Sequence, residues 1–200
     1  KIKIFETTWP LDHQEKRKGG QILAEQTNLA LERCKGKWCL YLQADELLHE
    51  QDLAHLRNEL VELADQREIE AVVLNYLHFY VSYDVIQTSR SSYRREIRVI
   101  RNGQGIVSTG DAQSFRHYSG RKLTAVLSKS RVFHYGWVRP QETMREKTVF
   151  MDSLYQSKTT GKNYLYKRIV GLKKFEGTHP AAMALRILSA PRFDFSNAPR

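Results

Sequence analysis

A five-residue apolar run, Trp38 to Leu42, is followed three residues later by two acids, Asp45 and Glu46, and then by a leucine-rich helical pattern. Such a run is too short for a helix and too continuous for a half-exposed strand, so it reads as a strand covered on both faces. Carboxylates just past it lie at its carboxyl edge, where open α/β sheets bind ligands. Hard oxygen donors there suit Mg2+ or Mn2+ shared with a phosphorylated ligand. The competing reading is electrostatic: acids at the start of the next helix complement its dipole.

The flanking pattern alternates. Lys1 to Phe5 reads as a short strand, with Ile2 and Ile4 set against lysines, and a loop to Gly20 follows. Gln21 to Cys34 reads as a helix with Leu23, Ala30 and Cys34 on one face, Ile22 and Leu29 beside it, and Gly36 as its stop. Gln51 to Gln66 is a second helix, carrying Leu53, Leu56, Leu60 and Leu63 on its core stripe. Ala71 to Val81 and Glu96 to Ile100 read as strands. Leu123 to Leu127 and Arg131 to Tyr135 read as a possible further pair. Asn102 to Gly110 is glycine-rich and turn-like. From Pro140 the pattern turns helical, with one helix marked by Met144, Phe150 and Leu154 and a second by Leu165, Ile169 and Leu172. Thr178, His179 and Pro180 read as a cap and first turn. This alternation predicts α/β architecture with a mostly parallel, Rossmann-like sheet flanked by helices and a helical C-terminal portion.

At 200 residues the chain buries enough surface for one domain without staples. No apolar run reaches the roughly 18 residues of a membrane span. Cys34 and Cys39 read as buried thiols, with too few neighbouring ligands for zinc. The net charge of +10 comes from 32 basic and 22 acidic residues. Clusters at 16–20, 92–101 and 165–174 fit a phosphorylated substrate or an anionic membrane surface. Nucleic acid is not expected as a partner, since no zinc-finger, RNA-binding or basic heptad signature accompanies the charge.

Arg95 and Arg98 can grip a diphosphate or an acceptor through paired hydrogen bonds, or simply form a surface ladder with Glu96. Period two puts Arg98 with Arg94 and Glu96 on one face and Arg95 on the other. Trp137, in the run Phe-His-Tyr-Gly-Trp, offers an acceptor a stacking face or packs in the core.

The segment GGQILAEQTNLALERCKGKWCLYLQADELLHE resembles the middle of a family 2 glycosyltransferase of the GT-A fold. Asn28, Gly36, Trp38 and the Gln43-Ala44-Asp45-Glu46 turn take the places of that family's helix asparagine, glycine, aromatic and Asp-x-Asp motif. SRSSYRREIRVIRN, GDAQSF and FHYGW resemble later pieces of a subgroup, in the same order. The resemblance implies a nucleotide-diphosphate sugar as donor, a glycan or glycolipid as acceptor, and inversion at the transferred carbon. It places the work in cell-surface polysaccharide synthesis, in the cytoplasm at the inner face of the membrane. Residues 1–139 would form the catalytic core, without the family's usual first strand, and 140–200 a helical extension of the same domain.

The resemblance also assigns roles. Asp45 and His134 would hold the metal, and Asp111 or Glu46 would act as base. Glu6, Asn28, Gln43, Arg95 and Arg98 would contact the donor, and Trp137 the acceptor. Gln43 carries no charge where the family has its first aspartate, which weakens the metal site. The other reading is a non-catalytic module that binds a nucleotide sugar or an anionic polymer.

Overall fold

A computed structural model describes residues 2–12, 14–89, 92–155 and 171–190. Among these residues, seven strands form one mixed sheet flanked by helices, with a separate two-stranded hairpin. The central strand is β3 (Ala71–Tyr80). One of its edges is paired along its length with β8 (Ala125–Trp137). The other edge is shared by β5 (Arg95–Arg101) and β4 (Ser82–Gln87). β1 (Trp38–Leu40) lies outside β5, β2 (Glu46–Leu48) outside β8, and β9 (Leu172–Lys174) outside β4.

The α/β class is as expected, but the sheet is not mostly parallel. Among the described pairings only β3 with β8 is parallel. The chain between those two strands doubles back as hairpins, and hairpin neighbours are antiparallel by construction. Hydrophobic alternation cannot distinguish the two cases.

The helices that matter for the site are α2 (Gln21–Leu31), α3 (Glu50–Glu62) and α4 (Gln141–Tyr155). A short α1 (Gln14–Arg17) precedes α2, and α5 (Ala184–Leu188) lies near the C-terminus. Three of the four leucines predicted for α3 face inward as expected: Leu56 and Leu63 are buried and Leu60 packs beside them, whereas Leu53 is exposed. They meet Val72, Leu74, Tyr76, Val99 and Val132 of the sheet. In α2 the buried residues are Ile22, Ala24 and Thr27; Ala30 and Cys34 are exposed, so the inward stripe is rotated from the predicted one. Cys39 is the buried thiol, pushed up to about 12 by burial and the neighbouring Cys34.

Other expectations need correcting. Residues 2–9 are exposed and form no strand; among the described residues no strand lies beside them, and an isolated extended segment leaves its backbone groups unpaired. The two strands expected over 123–135 are one strand, β8, which bulges at residues 128–130 opposite β3. That bulge docks on α3, where Ser130 Oγ donates to Asp52 O at 3.0 Å and Arg131 pairs with Asp52. The glycine-rich stretch contains β6 (Ile106–Thr109), which pairs with β7 (Ser114–His117). Leu172, expected on a helix, lies in β9; Leu165 and Ile169 lie outside the described residues. His179 packs among Phe79, Tyr135 and Phe175 rather than capping a helix, and hydrogen bonds Tyr135 Oη at 2.9 Å.

Candidate active site

The apolar run forms β1, but it does not lead into a helix. Chain 41–45 crosses from β1 to β2, and Glu46 pairs with His134 on β8. The helix begins only at Glu50, with the His49 imidazole accepting from Gln51 N–H as its cap. Asp45 and Glu46 therefore do not serve the helix dipole; Glu50 and Asp52 occupy its first turn. Leu40 is also exposed, so the face of β1 that carries Trp38 and Leu40 is covered only at its Trp38 end.

The two acids part company. Glu46 is completely buried. Its carboxylate accepts from Tyr76 Oη at 2.8 Å, Arg98 Nη2 at 3.1 Å, Arg98 Nε at 3.3 Å and Gln43 N–H at 3.1 Å. With its acceptor sites engaged and no solvent access, Glu46 anchors the loop and is poorly placed as the base. Arg98 is equally buried, which corrects its placement as a donor contact. The cause is a β-bulge: Val72 pairs with Val99 and Val73 with Ile97, so Arg98 is the extra residue of β5. The bulge breaks period two and turns the guanidinium into the core, as bulges commonly re-aim a side chain. Arg98 also donates to Gln113 O at 2.9 Å, tying the hairpin turn that carries Asp111 to the acidic loop.

Asp45 keeps partial contact with solvent, at 19% of its side chain. Lys147 of α4 donates from Nζ to Asp45 Oδ2 at 3.0 Å, and His134 Nε2 lies 3.8 Å from Oδ1. Burial pushes the Asp45 carboxyl up, but the charge and hydrogen bond of Lys147, with His134 adding to them once it is protonated, outweigh it and hold the group below the usual range. Gly136 makes the approach possible: a Cβ there would sit 2.6 Å from Asp45 Oδ2 and 2.7 Å from His134 Nε2.

A second histidine fixes the first. His78 Nε2 lies 2.6 Å from Tyr93 O, which can only accept, so this nitrogen carries the proton. His78 Nδ1 then accepts from His134 Nδ1–H at 3.0 Å. In neutral His134 the lone pair is thereby on Nε2, facing Asp45 Oδ1. Burial pulls His134 down to about 4, which keeps it neutral near pH 7.

Two donors thus converge, a carboxylate oxygen and an imidazole nitrogen with its far side hydrogen-bonded, as in many metal-ligating histidines. Among the described residues no third His, Cys, Asp or Glu joins them. The Gln43 amide instead points to Tyr41 Oη at 3.4 Å. The pair alone supplies two ligands, fewer than a divalent ion takes, and Lys147 already holds the other carboxylate oxygen.

The other expected residues come from several elements. Asp111 lies in the β6–β7 turn between Gly110 and Ala112, both at positive φ, and accepts from Gln113 N–H at 3.3 Å. Glu96 is pushed up by burial and by the Asp111 charge, despite an opposing effect of Arg98, so these two carboxyls sense each other. Asn28 donates to Ser108 O at 3.1 Å and accepts from Ser108 N–H at 2.7 Å, extending the edge of β6. Arg95 is exposed and donates to Asn75 Oδ1 at 3.2 Å, on the wall of a groove of about 800 Å³ that also includes Arg94, Tyr93 and Lys173. Trp137 ends β8 beside Tyr80, with ring centroids 6.0 Å apart. Glu6 is exposed in the irregular N-terminal segment.

Sequence reasoning missed Lys147 and His78. The signal for Lys147 was its spacing. It lies three residues after buried Met144 and seven before buried Leu154, on the stripe where an apolar residue is expected. Comparison with protein-family models gives no match, and comparison with curated proteins finds no significant relative.

Proposed function

We propose that the chain is a glycosyltransferase that moves a sugar from a nucleotide-diphosphate donor to an acceptor hydroxyl. The observation that carries this reading is the partly open Asp45 carboxylate, held ionised at the end of the β1 loop with the His134 lone pair facing it. The resemblance of residues 19–50 to the middle of a GT-A transferase points the same way. A divalent ion held by Asp45 and His134 would supply positive charge to the departing diphosphate. Asp111 is the proposed base. It accepts the proton of the acceptor hydroxyl as that oxygen bonds to the anomeric carbon and the carbon–diphosphate bond breaks, with inversion. Tyr80 and Trp137 give a sugar acceptor an aromatic face. The positive charge favours an acceptor carried by an anionic membrane.

The test is nucleoside diphosphate release from a panel of nucleotide sugars, with glycan and lipid-linked acceptors. Asp111→Asn is expected to slow transfer by about 10²–10⁴-fold while leaving donor affinity within a few-fold. Full transfer by Asp111→Asn removes its role as base. Donor binding without transfer by the unaltered chain, under every acceptor tried, favours the non-catalytic module.

A further inference from the structure

A cationic side chain also reaches Asp45 from outside the sheet. Lys147 projects from α4, and its ammonium has three N–H groups. One donates to Asp45 Oδ2 at 3.0 Å and one to Gly136 O at 3.3 Å. The side chain stays 32% exposed, and among the described residues no other acceptor is bonded to Nζ. A lysine kept merely for solubility has no reason to occupy the buried stripe of a helix beside Met144 and Leu154. Its position places a positive charge beside Asp45 and His134, next to a carboxylate that already carries a compensating negative charge.

We propose that Lys147 is a donor-binding residue: its ammonium contacts the diphosphate of the nucleotide donor. This rests on the transferase reading above and adds to it a protein-borne charge on the leaving group. Asp45 has two carboxylate oxygens, so ion and ammonium can share it: Oδ1 faces His134 and Oδ2 faces Lys147. A diphosphate bridging the two then meets positive charge on both sides. Such charge-assisted contacts are stronger and shorter than neutral ones. The point charge matters more than its shape, so arginine at this position substitutes in part.

The experiment is calorimetric titration of uridine, guanosine and thymidine diphosphates into the full chain. It uses the unaltered protein, Lys147→Met and Lys147→Arg, each in EDTA and in Mn2+, with Mn2+ alone as a further titrant. Melting curves confirm that each variant is folded. The unaltered chain is expected to bind one diphosphate in EDTA. Lys147→Met is expected to weaken that binding by about tenfold or more and to regain most of it in Mn2+. Lys147→Arg is expected to stay within a few-fold. Mn2+ alone should bind Lys147→Met more tightly, because Asp45 has lost its ammonium partner. If diphosphate binds the unaltered chain only with Mn2+, or binds Lys147→Met equally well in EDTA, the role of Lys147 is wrong and the transferase reading stands. If the folded, unaltered chain binds no diphosphate under either condition, both fall.

Discussion

His134 shows how one buried side chain records its surroundings. Its imidazole is enclosed by Asp45, His78 and Tyr76, and burial lowers its proton affinity more than the neighbouring carboxylates raise it. The folded group titrates near 4 and the unfolded one near 6.5. Between those values the unfolded chain binds the proton and the folded chain does not, so stability rises with pH across that window. Acidification from about pH 7 to pH 4 should therefore cost the fold up to about 3 kcal/mol from this group. Denaturant titrations across that range should show the slope, and His134→Gln should flatten it. Burial also lowers His78, so part of the slope should remain in the variant. An identical slope in both proteins would mean that His134 titrates normally. The residue also marks what sequence made legible. Asp45 stands out locally, as an acid after an apolar run; its pairing with His134 came only from the family resemblance, because a lone histidine in an aromatic strand reads more readily as a core residue. Glu46, adjacent to Asp45, was misread as a base because its fate is set by Arg98, 52 positions away. No local pattern announces a bulge that turns an arginine inward.

Elements here are joined by arginines as much as by apolar faces. Arg101, at the end of β5, donates to Ala64 O, Leu63 O, Gln66 O and Ile69 O, at distances from 2.9 to 3.1 Å. These carbonyls follow the end of α3, where the dipole is negative and acceptors lack helical partners. The guanidinium also lies 4.1 Å from the Trp38 ring centroid, joining β1 to the same junction. Arg101→Met should keep the apolar stem but leave the carbonyls short of donors, costing on the order of 3 kcal/mol. Urea denaturation would measure this; a loss below about 0.5 kcal/mol would show the cap to be redundant. Helices α2 and α3 were legible in outline because leucine spacing marks a helix wherever it packs. The rotation of α2 was not. Asn28 clamps it to Ser108 on β6, a strand hidden in a glycine-rich stretch that reads as a turn.

At the scale of the whole molecule, the sheet decides where the site can be. β3 and β8 run parallel, and β8 brings His134, Gly136 and Trp137 to one end. β2 pairs antiparallel with β8 and delivers Asp45 to that same end. The helical segment after residue 140 then places Lys147 over it. The α/β class followed from alternating elements. The mixed sheet did not, because strand direction depends on which hairpins form between partners distant in sequence. Among the described residues no helix is long and apolar enough to cross a membrane.

The central claim is that the Asp45 carboxylate acts on a nucleotide-diphosphate donor. The most direct measurement is the rate of nucleoside diphosphate release from a donor panel in Mn2+, for the unaltered chain and for Asp45→Asn, with melting midpoints recorded alongside. The account predicts measurable release by the unaltered chain and a fall of about 10³-fold in Asp45→Asn, with the midpoint shifted by only a few degrees. Equal rates in the two proteins would contradict it.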